Sequence, residues 1–169
     1  MDDKISHCQW FGLTCSADDL LIDINLSNNN LTGEISFSSV KFPQLTKLDL
    51  AENKLSGIEE TSGELSFLQN LAKIDISENE FSRHADMTFS PATIYVNFIQ
   101  NKFTSAGFKR FNAASEVLRV VDLSNNLIDQ DASEIFLNIP PNLEELFLSN
   151  NAMRGALPNP FTIENIRYF

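Results

Sequence analysis

One asparagine recurs through this chain at nearly constant spacing, always in the same apolar frame, and that recurrence restricts the fold more than any other feature. Six segments fit L-x-x-L-x-L-x-x-N-x-L, with conservative replacements at the apolar places. They are LIDINLSNNNL from Leu21, LTKLDLAENKL from Leu45, LAKIDISENEF from Leu71, TIYVNFIQNKF from Thr93, LRVVDLSNNLI from Leu118 and LEELFLSNNAM from Leu143. The ninth place is Asn29, Asn53, Asn79, Asn101, Asn126 and Asn151, at intervals of 24, 26, 22, 25 and 25 residues. A unit of that length cannot bury its own apolar face, so tandem units must stack and share one core.

Within each unit the fourth and sixth places alternate with polar residues, as in Leu48-Asp49-Leu50. That is the two-residue period of a short strand. Stacked in parallel, such strands exchange backbone hydrogen bonds and line up their apolar side chains. The asparagine stands where the chain leaves the strand. A buried amide there can bond backbone groups of its own and the neighbouring turn, each of which would cost about 1–3 kcal/mol if left unpaired. A structural ladder is therefore expected of the six asparagines.

The return side of each unit also repeats. Phe89, Phe111, Phe136 and Phe161 each follow a ladder asparagine by ten residues, and Phe42 and Phe67 fall a few residues later in the first two units. This spacing predicts a stacked aromatic spine closing the far side. Short helices are expected over Ser133 to Asn138 and around Ala106 to Glu116, the first ended by Pro140-Pro141.

The motif and its period are those of leucine-rich repeats. They imply an α/β solenoid, a right-handed superhelix with a parallel concave sheet. A partial cap over 1–20 would precede six repeats over 21–165, and 166–169 would open a seventh. The run Cys8-Gln9-Trp10-Phe11-Gly12-Leu13-Thr14-Cys15 closely resembles the C-x-W-x-G-V-x-C cap of plant-type leucine-rich repeat proteins, with Leu13 in place of Val. The plant-type continuation N-x-L-x-G-x-I-P is carried by Asn29-Asn30-Leu31-Thr32-Gly33-Glu34-Ile35, by Asn53-Lys54-Leu55-Ser56-Gly57 and by Asn151 to Pro158. Repeats three to five lack its glycine, so the middle is expected to depart from the family pattern.

The resemblance implies a Cys8–Cys15 disulfide, with Trp10 and Gly12 packed over the open end of the first coil. It also implies secretion or the ectodomain of a membrane receptor, and a protein or peptide ligand. In a secreted protein Asn25-Leu26-Ser27 and Asn30-Leu31-Thr32 would be glycan acceptors. Family members normally carry a helix before the cap, whereas seven residues precede Cys8 here, and Ile166-Arg167-Tyr168-Phe169 reads as the opening of another repeat. A fragment of a longer protein is expected, and any membrane contact would come through segments outside this chain.

Charge narrows the partners. Twelve Lys and Arg against 23 Asp and Glu give a net charge of −11, a field that repels nucleic acid and anionic lipid and favours solubility or a basic partner. No apolar run is long enough to span a bilayer, and Met-Asp-Asp-Lys lacks the apolar core of a secretory signal. Two cysteines with only His7 nearby are too few for a structural zinc site. There is no Ser-nucleophile motif, phosphate-cradling glycine loop or metal-ligand cluster. No enzyme activity, metal or cofactor is expected.

Binding is expected on the concave face, at the second, third, fifth, seventh and eighth places of each motif. The fifth place reads Asn25, Asp49, Asp75, Asn97, Asp122, Phe147, an acidic ladder that either attracts a basic peptide or simply follows the repeat consensus. Repeats four to six break the polar pattern. Tyr95 and Val120 take third places held earlier by Asp23, Lys47 and Lys73; Phe147 and Ile99 replace polar or small residues, and Arg119 adjoins Val120. Exposed aromatics with an arginine have the composition of an interface hot spot. The alternative is an irregular fourth repeat, begun by Thr93, whose shifted register buries Ile94 or Ile99. The family offers a receptor-like ectodomain, a secreted inhibitor or scaffold, or, with reduced cysteines, an intracellular scaffold.

Overall fold

The computed structural model describes residues 6–36, 42–58, 65, 68–85, 87–108 and 116–157. Among them one long sheet runs through the stack in the order β1 (Leu13–Cys15), β2 (Leu21–Asn25), β4 (Lys47–Asp49), β6 (Lys73–Asp75), β8 (Tyr95–Asn97), β10 (Val120–Asp122) and β11 (Glu145–Phe147). From β2 onward every pairing is parallel and in register, so that Ile24, Leu48, Ile74, Val96, Val121 and Leu146 form one row. That row is the fourth place of the motif, and its members from Leu48 to Leu146 are at most 2% exposed. Most repeats thus keep a strand of three residues, too short to persist alone, and its partners on both sides supply the missing hydrogen bonds.

The ladder extends past the strands. Sixth-place amides donate to fifth-place carbonyls of the next repeat, as Leu50 does to Asp75 at 2.8 Å and Phe98 to Asp122 at 2.8 Å. Eighth-place amides continue it, Glu52 donating to Ser77 and Gln100 to Ser124 at 2.9 Å. To turn there, every eighth-place residue adopts a left-handed backbone: φ is 56° at Asn28, 54° at Glu52, 52° at Glu78, 56° at Gln100, 55° at Asn125 and 55° at Asn150. Asparagine tolerates this region through its short polar side chain; glutamate and glutamine do so at a cost.

The ninth-place asparagines fill the turn. The Asn79 Nδ2 donates to the carbonyls of Leu50 at 2.9 Å, Ser77 at 3.0 Å and Ile76 at 3.1 Å, while its Oδ1 accepts from Leu55 N–H at 2.9 Å. Asn53, Asn101, Asn126 and Asn151 repeat the arrangement one coil along, each bonding the preceding coil and its own. Asn53, Asn79, Asn101 and Asn126 are buried; Asn29, with no earlier ladder turn to bond, is exposed and donates to its own Ser27 carbonyl at 2.9 Å.

Beside the long sheet the plant-type continuation forms a second edge. β3 (Thr32–Ile35) pairs in parallel with β5 (Lys54–Ile58), and β7 (Ser82–His84) with β9 (Lys102–Ser105). Gly33 turns at φ 87°, and in repeat three Arg83 takes the same place at φ 72°. The pairing therefore survives the loss of the glycine, because the backbone conformation is kept and a larger residue is forced into it. One short helix, α1 (Ala132–Phe136), sits on the return side of repeat five, one residue earlier than expected. Its N-cap Asp131 accepts from the Ser133 N–H at 2.9 Å and hydroxyl at 2.6 Å. Most of the second expected helix lies outside the described residues.

The aromatic core includes residues beyond the predicted spine. Of that spine Phe89 is buried and Phe42 and Phe136 are half-buried, while Phe67, Phe111 and Phe161 lie outside the described residues. A run of ring contacts joins Phe89 to rings of the repeat frame: Phe81 to Phe103 at 6.1 Å, Phe103 to Phe98 at 5.3 Å and Phe98 to Phe89 at 6.1 Å between centroids. Phe98 is a sixth-place residue and Phe81 and Phe103 are eleventh-place ones, so these rings fill positions that in other repeats hold Leu, Ile or Met. Offset rings at such separations add packing energy beyond their burial.

The cap also departs from expectation. Cys8 and Cys15 are disulfide-bonded with Cα atoms 5.6 Å apart, and the Gly12 carbonyl accepts from Asn25 N–H at 2.7 Å. A Cβ at Gly12, where φ is 83°, would run into the Asn25 carbonyl, so only glycine fits. Yet Trp10 is 59% and Phe11 102% exposed. The open end of the sheet is covered by β1, laid antiparallel on β2, with Leu13 packed against the core. Trp10 lines one wall of an apolar groove of about 610 Å³ with Phe11, Leu20, Leu26 and Phe42.

Replacing Asn79 by Ala should lower the unfolding free energy by about 3 kcal/mol, because several buried backbone groups lose their partner together. Denaturant unfolding with unchanged m-value checks this, and a loss under about 1 kcal/mol would show that water replaces the amide. Conversely, Glu52→Asn with Glu78→Asn should raise the unfolding midpoint, each relieving up to about 1 kcal/mol of left-handed backbone cost.

Candidate functional site

The face of the long sheet opposite the core carries the third and fifth places as two side-by-side columns. In the third column Asp23, Lys47, Lys73, Tyr95, Val120 and Glu145 stand in register; in the fifth, Asn25, Asp49, Asp75, Asn97, Asp122 and Phe147. The regular register disposes of the shifted alternative for repeat four. Val96 is buried between Tyr95 and Asn97, Ile94 is 38% exposed, and Thr93 fits the first place because its hydroxyl donates to the buried Leu71 carbonyl at 2.8 Å. Tyr95, Val120 and Phe147 therefore project from the same face, each half-buried. Ile99 is half-buried at the turn beyond it.

The acidic ladder has a local duty that sequence reading missed. One carboxylate oxygen of each fifth-place acid accepts the N–H two residues on: Asp49 from Ala51 at 3.2 Å, Asp75 from Ser77 at 2.9 Å, Asp122 from Ser124 at 2.8 Å. Asn25 and Asn97 do the same with their amide oxygens. These are Asx turns that start the bend after each strand, and the recurring Asp-x-Ser spacing is the signal that could have revealed them. Phe147 has no oxygen to offer, so repeat six gives up this bond for a half-buried ring on the concave face.

The second oxygens differ from repeat to repeat. Asp49 Oδ2 accepts from Asn25 Nδ2 at 3.2 Å and lies 3.9 Å from Lys47 Nζ; Asp75 Oδ2 accepts from Asn97 Nδ2 at 2.9 Å. The second oxygen of Asp122 has neither a hydrogen bond nor an ion pair among the described residues. Asp23 has the one buried polar side-chain atom without a hydrogen bond among them, its Oδ1. Its other oxygen faces Lys47 Nζ at 3.8 Å.

Arg119 is not a free contact residue. One guanidinium nitrogen donates to the carbonyls of Leu118 at 3.3 Å and of Glu116 and Asn142 at 3.4 Å, and Nε lies 3.5 Å from the Glu144 carboxylate. It braces the edge where strands of repeats five and six begin. Burial, followed by the charges of Asp75, Asp122 and Glu145, raises the Tyr95 phenol above its ordinary value of 10.0. At neutral pH the hydroxyl is protonated and able to donate. His7, Cys8 and Cys15 place potential ligand atoms within 4.8 Å of one another, but the disulfide consumes both thiolates that a metal would need.

The chain matches the Leucine Rich Repeat family over residues 20–41 and 142–162. It is 32% identical over 155 residues to the serine/threonine-protein kinase BRI1-like 1 of Arabidopsis thaliana, covering 88% of this chain and 13% of that protein. It is 29% identical over 143 residues to Toll-like receptor 2 type-1 of Gallus gallus, covering 84% and 17%. The fold is that of the receptor kinase HAESA ectodomain from Arabidopsis, solved with an extended IDA peptide hormone, at TM-score 0.75 and 20% identity over 98% of this chain and 28% of that one. The chain belongs to the plant-type leucine-rich repeat proteins.

A second solved structure, PEPR1 with AtPEP1, gives TM-score 0.72 at 22% identity over 96% of this leucine-rich repeat chain and 23% of that one. The chain thus spans a small part, between 13% and 28%, of each relative named here. No helix among the described residues is long and apolar enough to cross a membrane.

The electrostatics of the face can be titrated. Absorbance near the phenolate band should show Tyr95 ionising above the usual tyrosine range, and Asp122→Asn should bring it back toward that range. The stability gained by keeping the phenol protonated is present at every pH below the ordinary value and is lost as pH rises through the folded one. A Tyr95 that titrates like an exposed tyrosine would remove the electrostatic account of the face.

Proposed function

We propose that this chain is a non-catalytic recognition module of a receptor-like ectodomain, holding a protein or peptide partner on the concave face of repeats four to six. The observation that carries the reading is the regular register of Tyr95, Val120 and Phe147. Three apolar side chains project on the face away from the core, in columns that elsewhere hold charges and amides. They add nothing to the core behind the sheet, and exposed apolar surface of this kind marks interaction sites. The solved neighbours support it: one is the HAESA ectodomain with a peptide hormone ligand, and another is a plant peptide hormone receptor, RGFR1, in complex with RGF2.

An extracellular setting fits the receptor relatives and the Cys8–Cys15 disulfide, a bond that persists in oxidising compartments. Of the two glycan acceptors, Asn30 is the better placed. Asn25 has its amide committed to Asp49 on the concave sheet, whereas Asn30 is exposed beyond the turn. The cap over 1–20 and the repeats over 21–165 would then form one segment of a longer solenoid, with membrane anchoring contributed by other parts of the protein.

Panning a displayed random-peptide library on the immobilised chain tests the reading. Recovered peptides should lose at least about tenfold in affinity for Tyr95→Ala/Phe147→Ala, as expected for removal of two central aromatic anchors. The unfolding midpoint should stay unchanged, since neither ring is in the core. Peptides that bind the double variant as well as the parent would sink the proposed face.

A further inference from the structure

We infer that the partner is an extended polypeptide segment presenting an apolar side chain to Tyr95 and Val120 and a lysine or arginine to the space between Asp122 and Glu145. The inference rests on the concave-face reading above and specifies the chemistry of its ligand.

The register makes a chequerboard. Val120 lies beside Glu145 in the third column, and Asp122 beside Phe147 in the fifth. Apolar and acidic residues thus occupy opposite diagonals of one four-residue square, with Tyr95 extending the apolar side to the next strand. Neighbouring strands are about 4.8 Å apart and residues two along a strand about 6.6 Å apart, so each diagonal spans roughly 8 Å. A cationic side chain entering the square is within reach of both carboxylates, and its methylene stem lies over Val120 or Phe147.

Three features select a cation here. Asp122 uses one oxygen in its turn and leaves the other uncommitted, whereas Asp49 and Asp75 spend theirs on Asn25, Lys47 and Asn97. Glu145 makes no ion pair among the described residues, because Arg119 is held by Glu144 and by backbone carbonyls. The cations that do face the sheet lie on the other side of Tyr95: Lys73 beside it in the third column and Lys47, paired with Asp23 and Asp49, beyond. The face is therefore polarised, its lysines offset by Asp49 and Asp75 in repeats two and three and its carboxylates Asp122 and Glu145, among the described residues, without a cation toward repeat six.

The polarity also orients the ligand. From Tyr95 to Phe147 is two strands across and two residues along, roughly 12 Å, or three to four residues of extended chain. A segment with apolar anchors three or four residues apart can occupy both ends, with its basic residue between or just beyond them toward repeat six.

The experiment is to sequence the peptides recovered from the random library on the parent chain and to repeat the binding on Asp122→Asn and Glu145→Gln. Asp122→Asn keeps the oxygen that caps the turn and removes only the charge, so the fold is preserved. The expected result is enrichment of lysine or arginine next to an apolar residue, weakening of about two- to fivefold for each variant, and further weakening with added salt. Peptides that need Tyr95 and Phe147 but show no basic bias and ignore both variants would overturn this inference and leave the face standing. Recovery only of peptides indifferent to Tyr95 and Phe147, or of none, would overturn both.

Discussion

The asparagine ladder is the interaction on which everything else in this molecule depends. Each strand of the long sheet is followed at once by a left-handed residue and a turn toward the return side. That turn leaves carbonyls of the sixth and seventh places pointing inward, away from solvent. An asparagine amide is the right size to bond three of these carbonyls and one amide of the neighbouring coil. Because donors and acceptor lie in two successive coils, the ladder satisfies the turn and sets the stacking distance in a single contact. The parallel register, and hence the columns on the concave face, follows from it.

The concave face shows how a structural repeat leaves room for function. The fourth and sixth places must fill the core, and the ninth must bond the turn. The third place is free of both duties, and the fifth is only half engaged, through one oxygen of an Asx turn. Repeats four to six depart from the polar pattern at these places while the buried frame keeps its register. Phe147 is the plainest case, since repeat six surrenders a turn-capping bond to place a ring on the concave face. A solenoid can vary such positions coil by coil without disturbing its neighbours, because each coil contacts only the next.

The start of the stack obeys different physics from its middle. At the start, parallel pairing is terminated by an antiparallel strand tied back through the Cys8–Cys15 bond, which gives β2 a partner on its outer edge. Coverage of the core comes from Leu13, while Trp10 and Phe11 stand on a groove wall. The tryptophan of the cap motif is thus placed by the short loop between the cysteines and not by the core beneath it.

The repeat frame was legible in the chain alone: where each strand begins, which residues share a face, and that Cys8 and Cys15 sit in a cap motif; that Asn29 stands exposed while Asn53 to Asn126 are buried was not. The frame was legible because these are local periodicities, and the stack repeats one local solution. The acidic fifth place was visible as a column, but its turn-capping role needed the backbone geometry after the strand, which a glutamate or glutamine at the eighth place does not advertise. Arg119 looked like a free hot-spot residue until the carbonyls of Glu116 and Asn142 were brought under its guanidinium. The contacts of Phe98 with Phe89 and Phe103 were not legible, because a ten-residue offset from the ladder says nothing about which rings meet across coils. Those decisions belong to the tertiary structure, since they depend on contacts between residues more than twenty positions apart, where small differences in coil path choose the partners.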